Sequence, residues 1–176
     1  HFSVRDAVAA ARVPSHPFHH LDPADLAVQL RMHLAPRERP LVLSDGIFPI
    51  SGEIAPAADY VRVLAAYEGA LLCLDDAHAT GVIGAQGRGT VEYTRATAAS
   101  VDVRVLTAHT FSKALGGHGG LIAGDAAFIA QVGRSAVALS ASSPPPIPAA
   151  AASAWALDFV AAHPERRAAL WANVAR

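Results

Sequence analysis

Three short apolar runs constrain the fold of this chain more than any other feature. They are Pro40 to Ser44, Ala70 to Leu74 and Val101 to Ala108, and each breaks off into polar residues. Runs this short and this apolar suit strands covered on both faces. Between the first two, Pro56 to Glu68 carries Tyr60, Val61, Leu64 and Ala65 at helical spacing. Pro56 suits the first turn of that helix and Gly69 its exit. Gly120 to Ala123 reads as a short fourth strand. Further helices are expected over Ala126 to Val137, Ala149 to Ala162 and Glu165 to Val174. Strands alternating with helices predict an α/β fold, a mostly parallel sheet sandwiched by helices. Open sheets of this kind bind ligands just beyond the carboxyl ends of their strands. That rule selects the residues after Ser44, after Leu74 and after Ala108.

Composition adds a second constraint. Hydrophobic residues make up 52% of the 176 and charged residues only 16%, with a mean hydropathy of +0.29. The buried fraction falls as chains shorten, so one domain of this size cannot hide so much apolar surface in its own interior. Part of it is expected to pack against another subunit or further polypeptide. A membrane span does not account for it, because the longest uncharged stretch, Ser135 to Leu157, contains four prolines. A net charge of −1 and a pI near 6.8 point neither to nucleic acid nor to an anionic membrane. The single cysteine, Cys73, sits in an apolar run. It reads as a small core residue in a reducing, cytoplasmic setting.

Of the 14 basic residues, Lys113 is the only lysine. Arginine does not lose its proton at accessible pH, so among these residues only Lys113 can offer a nucleophilic amine. It lies in Thr110-Phe111-Ser112-Lys113-Ala114-Leu115-Gly116-Gly117, just past the third strand. Asp75-Asp76-Ala77-His78 follows the second. A carboxylate at one strand end and a lysine past its neighbour suit pyridoxal phosphate (PLP). The amine forms an imine with the cofactor aldehyde, and the carboxylate keeps the pyridine nitrogen protonated. Asp75, first out of the apolar run, is the better placed of the two acids. Thr110 and Ser112 offer hydroxyls for the phosphate. Asp75, Asp76 and His78 could also ligate a divalent ion, but no further spaced ligand accompanies them. The Gly81 to Gly89 stretch lacks the endings of a phosphate loop or dinucleotide site and reads as a flexible connection. His109 and His118 read as local hydrogen-bonding residues, and Trp155 and Trp171 as helix-face packing.

The segment Thr110 to Gly119 resembles the PLP-attachment signature of class-II aminotransferase-like enzymes. With Asp75-Asp76-Ala77-His78 and Gln86-Gly87-Arg88-Gly89 it resembles the α-oxoamine synthases. The resemblance runs from His1 to about Pro145 and implies a fold-type I large domain. It implies a PLP-dependent acyltransferase that condenses a small amino acid with an acyl thioester, working as a homodimer. Lys113 would carry the cofactor and then remove the Cα proton. Asp75 would pair with the ring nitrogen, and His78 would sit near the 3′-hydroxyl. Thr110 would contact the phosphate, and His1, in His1-Phe2-Ser3, would stack on the ring. Ser142, in Ser140-Ala141-Ser142-Ser143, would belong to a segment reaching the neighbouring subunit's phosphate. Aminotransferase or lyase chemistry on the same fold, or a non-catalytic fragment, are the other readings.

The sequence departs from the family pattern at Phe48-Pro49-Ile50-Ser51-Gly52-Glu53, where Pro49 stands in place of a serine expected to bond the cofactor. The chain is also shorter than half a typical member. Residues 1–145 are therefore expected to be part of a PLP-binding large domain, and 146–176 a helical segment leading toward a small C-terminal domain. Pro144-Pro145-Pro146 and Pro148 form a rigid connector between them.

Overall fold

The computed structural model describes residues 1–98, 100, 102–136 and 142–176. The expected strand start at Val101, helix end at Val137, and Ser140 and Ala141 of the serine-rich segment lie outside the described residues. Two helices open the chain, α1 (Phe2–Ala11) and α2 (Pro23–His33). There follow β1 (Leu41–Asp45), α3 (Ala57–Leu64), β2 (Leu71–Asp75), α4 (Thr90–Thr94) and a 3-10 turn at Ala96–Ala98. β3 (Arg104–Thr110), β4 (Gly120–Ala123), α5 (Ala126–Ser135), α6 (Ile147–Ala162) and α7 (Pro164–Val174) complete the order.

Among the described residues the sheet runs β1-β2-β3-β4, the first three strands parallel and β4 antiparallel to β3. The expected mostly parallel α/β sheet is therefore present. In-register pairing sets Val42 beside Leu72 and Val105, and Leu43 beside Cys73 and Leu106. Side chains alternate along a strand, so these rows lie on opposite faces. Val42, Leu72 and Leu74 are buried together with Leu26 of α2 and Tyr60, Val61 and Leu64 of α3. Removing each such side chain from water contributes about 1.5–3 kcal/mol. This burial, more than helix propensity, holds the eight residues of α3 in place. On the other face Leu106 and Ile129 of α5 both lie close to Gly124, within 4 Å of where its Cβ would stand. Cys73 is only partly buried there, and that burial pushes its thiol pKa up, with Asp75 and Asp76 adding to the effect.

Several expectations need correction. α3 ends at Leu64 with Ala65 as its cap, so Ala65 is exposed and not on the packed face. Trp155 and Trp171 are 64% and 43% exposed, so helix-face packing does not describe them. α6 is apolar on every side, which leaves its sequence without a unique buried stripe. Trp155 stacks on Phe159, with centroids 4.8 Å apart, and Trp171 Nε1 donates to Val82 O at 3.0 Å. α2 escaped the sequence reading although Asp22-Pro23 marks its start. Asp22 accepts from Ala24 N and Asp25 N and Pro23 opens the first turn.

Candidate active site

The carboxyl ends of the parallel strands bring Asp45, Asp75 and Ala108 into one row. Asp75 is the last residue of β2 and is half-buried. Its Oδ1 accepts from Ala77 N at 3.0 Å, the local turn that aspartate makes well. Asp76, one residue on, points the other way and is fully buried. Its Oδ2 accepts from Thr90 N at 2.9 Å, while its backbone N–H donates to Ala108 O at 2.8 Å. Oδ1 of Asp76 and Oγ1 of Thr90 are buried with no hydrogen-bond partner among the described residues. A Cβ built on Gly46 would stand 2.0 Å from that Oδ1 and 2.2 Å from that Oγ1, so the two atoms converge on one spot. Burial pushes the Asp76 carboxyl above its usual range, against the pull of Thr90. Of the two neighbouring acids, then, one faces the strand ends and the other is built into the frame.

The segment after Asp76 is not the flexible connection expected for Gly81 to Gly89. Gly81 N donates to Gly87 O, and Gly89 N to Ile83 O. The Glu92 carboxylate accepts from Gln86 N and Arg88 N. From outside, Arg167 of α7 donates to Ala85 O at 2.9 Å, and Trp171 closes on Val82. A glycine-rich loop becomes rigid when its backbone donors are met by neighbours, and this one is met from two sides. Gly89 itself has φ +89, and a Cβ there would lie 2.1 Å from Asp76 Oδ2. Asp76, Thr90, Glu92 and Arg167 were missed as site-framing residues. For Glu92 and Arg167 sequence offers no signal, because their partners are backbone atoms.

Past β3 the chain makes an open turn. Thr110 Oγ1 lies 2.8 Å from Ser112 Oγ, and Phe111 N donates to Gly119 O at 3.0 Å. Lys113 is exposed at the head of this turn. Its Nζ stands 2.9 Å from Nε2 of His78. As an ammonium Lys113 has only protons to give, so Nε2 is the accepting nitrogen. Lys113, His78 and Asp75 are thus gathered at one edge from two loops. His1 caps α1 at the end of β1, its backbone nitrogen 2.5 Å from Asp45 Oδ2. Its ring turns to Ser3 Oγ at 2.8 Å and to Phe2, which leaves stacking on a cofactor ring to a different rotamer. Ser142 is exposed. Pro49 lies exposed in the turn where Gly52 N donates to Phe48 O. His109 bonds locally to Thr107, as expected, but also to Thr80, 29 residues away, while at His118 it is the backbone N–H that donates, to Ser153 Oγ at 3.2 Å.

The residues at this edge fit PLP. Lys113 offers an amine, Asp75 a carboxylate already oriented by a backbone N–H, and Thr110 with Ser112 a pair of hydroxyls. Among the described residues no three His, Cys, Asp or Glu side chains gather as ligands of an ion. No helix among them is long and apolar enough to cross a membrane.

Comparison with known proteins agrees with this geometry. The pattern of the aminotransferase class I and II family matches residues 1–176. An 8-amino-7-oxononanoate synthase of Bacillus velezensis is 36% identical over 179 residues, 99% of this chain and 43% of that protein. The serine palmitoyltransferase of Sphingomonas wittichii superposes with a TM-score of 0.88 at 27% identity, covering 98% of this chain and 42% of the other. A serine palmitoyltransferase solved with PLP gives a TM-score of 0.86 at 26% identity, with the same coverage of 98% and 42%. The chain therefore spans less than half the length of the relatives it matches.

Proposed function

Since the chain belongs to the aminotransferase class I and II family, in its α-oxoamine synthase branch, we propose that it forms the cofactor core of a PLP-dependent acyltransferase. Its substrates would be a small amino acid and an acyl thioester. The observation that carries this reading is the sole lysine standing 2.9 Å from His78, at the edge where Asp75 leaves β2. When bound, PLP supplies an electron sink for negative charge at the amino-acid Cα.

Each residue then has a stated task. Lys113 Nζ would hold the cofactor covalently and, as a free amine, would accept the proton from the amino-acid Cα. Asp75, oriented by Ala77 N, holds a proton on the ring nitrogen. His78 Nε2 accepts from Lys113 Nζ and so aims the amine, and His78 would sit near the ring 3′-hydroxyl. Thr110, backed by Ser112, binds the phosphate. His1, in another rotamer, would cover one ring face, and Ser142 would reach the phosphate of a second subunit. Residues 1–145 serve as the large-domain part and 146–176 as the lead toward a small domain. The partner is a second copy of the protein, a reading supported by the exposed apolar side chains Ile122, Ile147 and Trp155. A single partly buried cysteine supports a cytoplasmic setting.

Borohydride reduction of the full-length, PLP-loaded protein tests the proposal. The label is expected on the peptide containing Lys113. Lys113→Arg keeps the charge but cannot form the imine, so it is expected to lose labelling altogether. Labelled cofactor on another peptide would overturn the assignment.

A further inference from the structure

The mechanism above leaves unused a half-buried titratable side chain, His109 on β3. Its ring bridges two elements. Nδ1 lies 2.6 Å from Thr80 Oγ1, and Nε2 lies 2.7 Å from Thr107 Oγ1. Thr80 Oγ1 also donates to Asp76 O at 2.8 Å. A hydroxyl has one proton, so Thr80, having given it to Asp76, must accept from His109. The ring therefore carries its proton on Nδ1. Burial holds the imidazolium form down, with the Asp75 carboxylate opposing. In the neutral ring Nε2 is bare, so Thr107 donates to it. The result is a directed chain, Thr107 to His109 to Thr80 to Asp76 O, in which every proton has one place.

The position of this chain matters. Along β3, Thr107 and His109 share one face, while Ala108 and Thr110 share the other with Asp75. His109 thus stands behind the site without touching it. Thr80 lies two residues past His78, and His109 one residue before Thr110 and four before Lys113. A link from His109 to Thr80 fixes the loop that carries His78 against the strand that carries Lys113. We infer that His109 is a positioning residue, which through Thr80 sets the angle at which His78 meets Lys113. The bonding follows from the geometry alone; its bearing on cofactor capture rests on the proposed role of Lys113.

The test uses the full-length protein with two removals and two rescues. Thr80→Val deletes the accepting oxygen at constant shape, and Thr80→Ser restores it. His109→Asn places a donor where Nδ1 was, whereas His109→Gln does not. In cofactor-free protein, nitrogen NMR of His109 is expected to show a proton on Nδ1 only. The His78 Nε2 resonance is expected to move in Thr80→Val and His109→Gln and to stay near wild type in the other two. With PLP added, the rate of Schiff-base formation is expected to fall about ten- to a hundred-fold in the first pair, as for a small misplacement of a reacting group. The rescuing pair should remain within about threefold of wild type, because the added bond and not side-chain bulk carries the effect. A proton on Nε2 of His109, or an unmoved His78 resonance in folded Thr80→Val, would overturn the inference. So would equal losses in Thr80→Ser and Thr80→Val, which would mark a packing role. Should the wild type fail to take PLP at Lys113, the proposed function falls, and the two NMR readouts still decide the role of His109.

Discussion

The loop that leaves β2 and the turn that leaves β3 begin side by side and are built on opposite plans. After Asp75 the chain sinks inward. Asp76, Ala79, Ile83 and Thr90 are nearly or fully buried, and the glycine-rich stretch is bonded to Glu92, Arg167 and itself. After Thr110 the chain stays outside. Ser112, Lys113, Ala114 and Gly116 are exposed, and Leu115 alone is buried between Phe111 and Gly120. The difference suits two tasks. A carboxylate that must hold a proton in place belongs on a fixed platform, because preorganised charge needs no rearrangement during reaction. A lysine that must meet a cofactor, release it and then take a proton needs room to swing.

The largest expected effect tests the platform's chemical purpose. Asp75→Asn keeps the side-chain shape and the acceptor for Ala77 N, and leaves Lys113 able to form its imine. It would remove the charge proposed to pair with the ring nitrogen. Exchange of the amino-acid Cα proton in full-length protein should fall about 10²–10³-fold, as for a group acting mainly in the transition state. Asp76→Asn should leave that exchange within about threefold of wild type. A reversal of the two would show that the buried acid is the chemical one and would remove the basis of the contrast.

A second pair of variants measures rigidity directly. Gly89→Ala on the platform forces an L side chain into φ +89 and sets its Cβ 2.1 Å from Asp76 Oδ2. The cost should be about 3 kcal/mol or more, strain and clash together. Gly116→Ala on the lysine turn meets φ +61 with nothing within 4 Å, so only backbone strain of about 1 kcal/mol applies. Denaturant unfolding of full-length protein measures both. Equal costs would mean that the lysine turn is packed as tightly as the platform, and the comparison would fail.

The two regions were also unequally legible in the sequence. The strands were, because Val42, Leu72 and Leu74 belong to short apolar runs that no surface helix would tolerate. Their ends fell within a residue or two, since Asp45 and Asp75 still pair in the ladder although polar. Of the residues proposed for the chemistry, Lys113 stands out in the sequence as the only lysine, and Asp75 as the first polar residue past an apolar run. The rigidity of the platform was not legible. Glycines at 81, 84, 87 and 89 suggest freedom, and the groups that remove it, the Glu92 carboxylate and Arg167, lie 4 to 82 residues from the backbone atoms they bond. α1 was missed because its cap is His1, whose ring accepts from Ser3 N, and histidine is not among the residues that mark a helix start. The link from His109 to Thr80 spans 29 residues and needs the pairing of β2 with β3 before it can be seen.

The smallest expected effect concerns the buried acid and asks whether the platform is as stable as it could be. Asp76 has one oxygen on Thr90 N and another, Oδ1, with no partner beside the equally unpartnered Thr90 Oγ1. An ionised carboxylate there bears the cost of burial with half its bonding capacity unused. Asp76→Asn keeps an oxygen for Thr90 N and puts an N–H where Oδ1 was, able to donate to Thr90 Oγ1. At neutral pH the variant should be more stable by about 1 kcal/mol, the worth of one ordinary hydrogen bond plus relief of a buried charge. The pH dependence follows from the direction of the shift. The folded-state pKa of Asp76 is raised above its ordinary 3.8. Its protonated form therefore favours folding, a contribution complete below 3.8 and lost as pH rises through the folded value. Asparagine has no proton to lose, so its advantage over aspartate should widen as pH rises from 3.8 through the folded-state value. Denaturant midpoints of the two full-length proteins across that range decide it. An advantage that stays constant with pH would mean that Asp76 is ionised throughout. A loss of stability would mean that its charge is compensated by a group this chain does not contain, and the rigid platform would then depend on the rest of the protein.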